Sequence, residues 1–328
     1  MKLNNLILGV VILAFILLLV GKFYFSEDSF SSTNLFWNSI EKFTSFTSIN
    51  NLYDLSDLSG MREGDVLFII GPTRNYSKAD SAYILSYMGR GGRVVVMDDY
   101  GSANSLLENI NSSIMLNQQP LCQYDDFYVR GSFPIIKNFT QDSPYRVNSV
   151  VLNHPVSLNT TEYDTIIANT TTFGWIDLDD DSNLDWEEYL KEYTVIASAF
   201  FDNGQLIVIG DPDIVTDGMI DKGNNKQFIS NLIKNDTAYI DMTHGHEVPP
   251  LAQLNFVLKN DIVAQLLCII LLLLACYVNY KRTYIMGLLR KSKDSEKEYM
   301  GRKEWLVSFM ESRYSLKENE INELNKKL

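Results

Sequence analysis

The twelve residues from Asp177 to Glu188 read DLDDDSNLDWEE, and seven of them are carboxylates. Like charge at this density repels itself unless water or a cation takes it up. The spacing matches a calcium loop: Asp177 stands at position one, Asp179 at three, Asp181 at five, Asn183 at seven, Asp185 at nine and Glu188 at twelve. Alternating oxygen ligands let a short loop wrap a hard cation, and the last Glu can bind through both oxygens. Leu184 fills position eight with an apolar residue. Position six, where such loops turn on Gly, holds Ser182, so Ser182 is expected at positive φ. The plainer alternative is a solvated acidic loop; the register favours calcium. NTTTFGW before the loop reads as strand or irregular chain, and WEEYLKEY after it as a short helix. A single loop set between strands is therefore expected, not a helix–loop–helix pair.

A second group of carboxylates follows apolar runs. Val66–Ile70, Val94–Met97 and Leu206–Ile209 are continuous apolar stretches of strand length, as buried parallel strands are. Between the first two, Ser77 with Asp80 three residues on reads as a capping box, and Gly89 to Gly92 stop the helix. Ala103–Ile110 reads as a second helix, giving a β-α-β-α unit and a three-layer, mostly parallel α/β sheet. Thr194–Phe200 pairs with Leu206–Ile209 across FDNG, Asn225–Lys234 is helical, and AYIDMT supplies a last strand. Thr33–Phe43 reads as a helix, and Asn111–Ser149 as irregular chain.

Ligands in open α/β sheets bind outside the carboxyl ends of the strands. Those ends carry Thr73, the pair Asp98 and Asp99, and the pair Asp211 and Asp213. The edge is negative and lacks the bare N–H groups and Lys or Arg of a phosphate site. A cation, a sugar or a basic peptide suits it better. The plainer reading is that Asp98 and Asp211 cap helices and turns. His244 and His246 offer a third candidate, a zinc pair with Asp241 or Glu247 near, but a polar loop is the stronger reading there.

Compartment follows from hydropathy. Of 328 residues, 46% are hydrophobic, and two charge-free apolar segments, Leu3–Gly21 and Ile262–Tyr280, each approach the ~20 residues of a spanning helix. No small-residue cleavage site follows the first, so an uncleaved anchor is expected over a signal peptide. Lys281, Arg282, Arg290, Lys291 and Lys293 follow the second and place the C-terminus in the cytoplasm. The expected division is an anchor at 1–24, an extracytoplasmic domain at 25–260, a second span at 261–281 and a cytoplasmic tail at 282–328. From Ser26 to Asp261 there are 33 acidic and 14 basic residues, which excludes nucleic-acid binding through phosphate contacts. The basic stretch inside the membrane suits anionic lipid. Cys122 is the one cysteine in the outer domain, so no internal disulfide supports it. Sequons at Asn75, Asn111, Asn138, Asn159, Asn169 and Asn235 all lie on the outer side. In the tail, Trp305, Leu306, Phe309 and Met310 cluster at helical spacing and suit a membrane surface or a partner helix.

Three blocks in order carry a family resemblance: VLFIIGPTRNYSKADSAYILSYMGRGGRVVVMDDYGSANSLLE, FGWIDLDDDSNLDWEEY and GQLIVIGDPDIVTDGMIDKGNNKQFISNLI. Together they resemble an uncharacterised, membrane-anchored prokaryotic family with a domain of unknown function. The likeness runs from about Ser31 to Glu247 and is poor over Asn111–Asn148. It implies a fold similar to class I glutamine amidotransferases, a flavodoxin-like sandwich, and an association with MoxR-type ATPases. Those enzymes carry a nucleophilic Cys on a strand-to-helix turn. The matching turn here, MDDYGSAN, has none, and Ser102 is its only hydroxyl besides Tyr100. The expected function is a non-catalytic extracytoplasmic binding or scaffold module, stapled by structural calcium rather than sensing it, with a tail for lipid or a protein partner. The alternative is a hydrolase or carbohydrate-active enzyme using the strand-end aspartates as acid and base.

Overall fold

Val66–Ile70 has no exposed residue, because its two faces are covered by different helices. Val66, Phe68 and Ile70 pack into one core, and Leu67 and Ile69 into another. This alternation is the period-two geometry of a strand between two layers. The computed structural model describes residues 29–245 apart from 33, 35, 47 and 48, then 270, 277, 280, 281, 284, 298–311, 313, 322, 323 and 326. Both expected membrane segments, save Ile270, Tyr277 and Tyr280, lie outside the described residues, as do His246 and Glu247. Among the described residues no helix is long and apolar enough to cross a membrane. The chain divides into two compact units, Tyr24–Gln253 and a second made of Met1–Phe23 with Leu254–Leu328.

The first unit holds an eight-stranded sheet. In chain order its strands are β1 (Ile49–Leu52), β2 (Val66–Ile70), β3 (Arg93–Met97), β6 (Asn138–Phe139), β9 (Thr165–Asn169), β11 (Thr194–Phe201), β12 (Gly204–Ile209) and β13 (Ala238–Asp241). Across the sheet they run β1-β13-β2-β3-β12-β11-β9-β6. The pairings from β1 to β12 are parallel and the rest antiparallel. Ile70 lies opposite Met97, and Met97 opposite Ile209, so β2, β3 and β12 end level.

One face is covered by α1 (Glu41–Phe46) and α4 (Asn225–Ile233), through Phe43, Phe228, Ile229 and Leu232. The other is covered by α2 (Lys78–Gly89) and α3 (Ala103–Asn109), through Ile84, Tyr87, Met88, Leu106 and Leu107. The Ser77–Asp80 capping box starts α2 as expected. A lobe built from β4 (Met115–Gln123), β8 (Val156–Asn159) and β10 (Gly174–Ile176), with the pair β5 (Ile135–Ile136) and β7 (Val150–Val151), leans on the carboxyl ends of the main strands. Val156 N–H donates to Gly210 O at 2.7 Å, just past β12.

Three expectations need correction. The helix read over Thr33–Phe43 shrinks to Glu41–Phe46. Asn34 Oδ1 accepts from Phe36 N–H and Ser39 Oγ from Glu41 N–H, so short polar side chains compete with the helix there. The stretch read as irregular holds nine-residue β4, whose polar sequence and Pro120 hide it; the ladder shifts register between Leu116 and Pro120. WEEYLKEY forms turns, not a helix, and Lys191 bridges back to Gly174.

Gly210 sits where the lobe meets the sheet. A Cβ there would lie 2.1 Å from Val156 O, a backbone atom that cannot swing away. Gly210→Ala should therefore destabilise the intact chain by about 1–3 kcal/mol. The measurement is the urea midpoint at unchanged slope. An unmoved midpoint would show that the lobe yields freely.

Candidate functional site

The acidic loop leaves β10 at Asp177 and enters β11 at Thr194. Asp177 is buried, and the chain folds around its carboxylate. Oδ1 accepts from Asp181 N–H at 3.2 Å and Oδ2 from Ser182 N–H at 2.7 Å. Glu188, also buried, closes the loop: Oε1 accepts from Leu178 N–H and Oε2 from Asp185 N–H. Ser182 takes a φ of 61°, the turn that its place in the loop required, and Asp180 takes 60°. Asp177, Asp179 and Glu188 each present a carboxylate oxygen within 4.8 Å of the others. Asp179, Asp181 and Asp185 form an overlapping group. Asn183 is turned onto Asp181, whose carboxyl is lowered by the hydrogen bonds it accepts from Asn183. Asp179 is raised by slight desolvation and by the charges of Asp181 and Asp185.

The strand-end aspartates meet at the neighbouring ends of β3 and β12. Asp98 is fully buried and accepts from Gly101 N–H at 3.1 Å and Ala103 N–H at 2.9 Å, so it caps α3 from four residues before Ser102. The turn is tight enough that a Cβ on Gly101 would meet Asp98 Oδ1 and Pro72 O. Asp211, also fully buried, accepts from Asn153 N–H and Asp213 N–H. Asp213 accepts from Asn153 Nδ2, and Asp99 from Tyr100 N–H. None of the four is ion-paired among the described residues. Burial, opposed by the Ala103 N–H and helped by the Asp99 charge, pushes the Asp98 carboxyl up to about 7. Burial and the charge of Asp213 push Asp211 up, and burial and the charge of Asp99 push Asp213 up to about 7. Asp99 is raised by burial.

The two groups are neighbours. Burial and the charges of Asp99, Asp180 and Asp177 together raise the Tyr100 phenol, so one ring lies within reach of both. Arg130 donates to His154 Nε2 at 2.9 Å; burial and that guanidinium hold His154 below its ordinary pKa.

A model of a domain of unknown function, DUF4350, matches residues 44–233. The chain belongs to the DUF4350 family. No curated protein matches it. Among solved structures it is similar to the mmIFT52 N-terminal domain, at 17% identity over 60% of this chain and 89% of that one, with a TM-score of 0.45. It is also similar to a beta-galactosidase from Bacillus circulans sp. alkalophilus, at 16% identity over 54% of this chain and 23% of that one, with a TM-score of 0.31. A cytoplasmic protein from Salmonella typhimurium matches at 9% identity over 56% and 75% of the two chains, with a TM-score of 0.33.

The DUF4350 span contains the loop and the four strand-end aspartates, and ends before His244. Thr73 is bonded to the end of the described domain: its N–H donates to His244 O and its hydroxyl to Gly245 O. His244 is buried, stacked on Tyr76, with Nδ1 2.9 Å from Asp241 and Nε2 3.5 Å from Asp80. Both ring nitrogens thus face carboxylates already. Sequence reasoning missed Asn153, whose backbone and side chain hold Asp211 and Asp213; its position in an unassigned stretch gave no signal.

In the DUF4350 domain the raised carboxyls set a pH dependence. A carboxyl raised in the fold destabilises it above that pKa, and the burden lifts as pH falls through about 7 toward the ordinary 3.8. The lowered groups Asp80 and Asp241 lose their contribution only below 3.8. His154 works against the trend below its ordinary 6.5. The readout is therefore a difference. Asp213→Asn, which keeps an acceptor for Asn153, should stabilise the chain at pH 8 by on the order of 1 kcal/mol, and the difference should shrink from pH 7 downward and vanish only near pH 4. Parallel melting profiles over that range would mean the buried pair carries its charge without penalty.

Proposed function

We propose that this chain is a membrane-anchored, extracytoplasmic binding module, non-catalytic, whose loop at 177–188 takes a structural calcium ion. The observation that carries it is the placement of Asp177 and Glu188. Both are buried, both bind the loop's own N–H groups, and both keep an oxygen within 4.8 Å of Asp179. Two buried carboxylates with no cationic side chain on them among the described residues call for a positive charge. In a calcium-rich compartment even a weak site would fill, so the ion acts as a staple.

Anchoring is supported by the apolar segments Leu3–Gly21 and Ile262–Tyr280 and by the basic residues after the second. Parallel strands with helices on both faces support kinship with the glutamine amidotransferase-like sandwich. In the cytoplasmic tail, residues 298–311 are helical, and Trp305 stacks on Phe309 with both rings exposed. That face suits a lipid surface or a protein partner such as a MoxR-type ATPase.

The enzyme reading draws on one observation, the Asp98 carboxyl raised to about 7. Against it, Asp98 is fully buried and both its oxygens are held by α3 and its turn. Neither described histidine is free to serve Ser102, since His154 is bonded to Arg130 and His244 to Asp241.

Titration calorimetry on the intact chain should show calcium binding. At free calcium about a hundredfold above Kd the stabilisation should approach ~2.7 kcal/mol. Asp179→Ala removes an exposed ligand while the bonds to the Asp177 and Glu188 carboxylates remain, and should abolish the shift with little change in the calcium-free melting temperature. No heat and no shift in the wild type would refute the calcium site.

A further inference from the structure

Asp98 and Asp99 follow the end of β3, and Asp211 and Asp213 follow the end of its sheet neighbour β12. Asn153 reaches them from the lobe, between β7 and β8. Its N–H donates to Asp211 at 2.7 Å and its Nδ2 to Asp213 at 2.5 Å. Its Oδ1 is buried and has no hydrogen-bond partner among the described residues. Asn153 is only 7% exposed, so bulk water does not serve that oxygen. Covalent geometry sets Oδ1 beside Nδ2, and Nδ2 lies on Asp213, so the orphan acceptor belongs to the aspartate cluster.

Two of the four aspartates are fully engaged. Both oxygens of Asp98 and both of Asp211 accept from backbone N–H groups. The other two are only partly buried and have one oxygen engaged each, Asp99 Oδ1 by Tyr100 N–H and Asp213 Oδ2 by Asn153. Asp99 Oδ2, Asp213 Oδ1 and Asn153 Oδ1 are left to meet a ligand. The charge of Asp99 acts on both Asp211 and Asp213, so these groups stand close together.

All three oxygens are acceptors, which calls for a donor or a cation. A sugar hydroxyl would bond them and leave the repulsion standing among four aspartates, none ion-paired among the described residues. A divalent ion relieves both. Among the described residues, groups of three or more His, Cys, Asp or Glu with ligand atoms within 4.8 Å of one another occur only in the acidic loop. The strand ends are thus no cage for calcium, which takes 6–8 oxygens. Magnesium keeps several waters and needs only one or two carboxylates.

We propose that Asp99, Asp213 and Asn153 Oδ1 bind a partly hydrated magnesium ion at the carboxyl ends of β3 and β12. The ion draws one ligand from the turn after β3, one from the stretch after β12 and one from the lobe, and so clasps the lobe to the sheet. It takes the place of the protons that otherwise relieve the cluster. The site rests neither on the calcium loop nor on the membrane reading.

Manganese is the probe, since it accepts the same oxygen ligands and its free aqua ion gives an EPR signal that binding removes. The intact chain carrying Asp179→Ala, which disables the loop, should bind one manganese ion that magnesium displaces. Adding Asp99→Asn should weaken binding by roughly tenfold or more. Asparagine keeps an acceptor for Tyr100 N–H, so the turn holds. Asp213→Asn, which keeps its bond to Asn153, should weaken binding as much, and it decides the matter if the first variant does not fold. No manganese on the Asp179→Ala chain overturns the site. So does binding that either folded asparagine variant leaves unchanged, because the ion then sits elsewhere.

Discussion

A strand buried on both faces can place a polar side chain only at its ends. Three of the parallel strands carry an aspartate at their last residue or within two residues beyond it, and each is satisfied by N–H groups of the turn that follows. Asp98 takes Gly101 and Ala103, Asp211 takes Asp213, and Asp241 takes Thr243. Buried polar groups must be bonded, and turning the chain back over the strand end brings donors to them. The turns into α3, into the stretch after β12 and out of β13 follow from that requirement. The fold's negative edge is thus a result of how the strands stop before it is anything else.

The same residue type then behaves in opposite ways. Asp241 is buried, which alone would raise it, but His244, Thr243 and Tyr76 all donate to it and the balance is lowered. Asp98 and Asp211 receive N–H bonds without a cationic partner, stand near other aspartates, and are raised. Hydrogen bonds from neutral donors offset part of the desolvation of a buried charge; a neighbouring imidazole supplies what they lack. Aspartates matched in burial and chain position therefore divide into one firm anion and a set that holds protons near neutral pH.

How much of this is legible without coordinates depends on the kind of signal. Val66–Ile70 and Leu206–Ile209 are readable because burial on both faces leaves an unbroken apolar run. The Ser77–Asp80 box is local chemistry and is found where the spacing puts it. Ser182 is readable for the same reason: a loop that must turn at one position dictates φ there, whatever residue occupies it. What escapes is long-range. β4 is a strand because β8 and β10 flank it, and MLNQQPLCQ carries no period of its own. The insertion of β13 between β1 and β2 depends on pairings across most of the chain. Asn153 holds two aspartates some sixty residues away, a role that no local pattern announces.

Proximity also gives the two acidic groups a common electrostatics. Both act on Tyr100, the loop through Asp180 and Asp177 and the cluster through Asp99. The cluster is buried and relieves its repulsion by keeping protons. The loop is mostly exposed and relieves it through water or, on the reading proposed above, a cation. A positive charge in the loop makes the potential at Asp99 and Tyr100 less negative and so favours the ionised cluster. By linkage, ionising the cluster strengthens the hold on the cation by the same free energy. Acidic residues on one edge thus need not be surplus charge. They form one field with two ways of being neutralised, and the turns that end the strands decide which residue uses which.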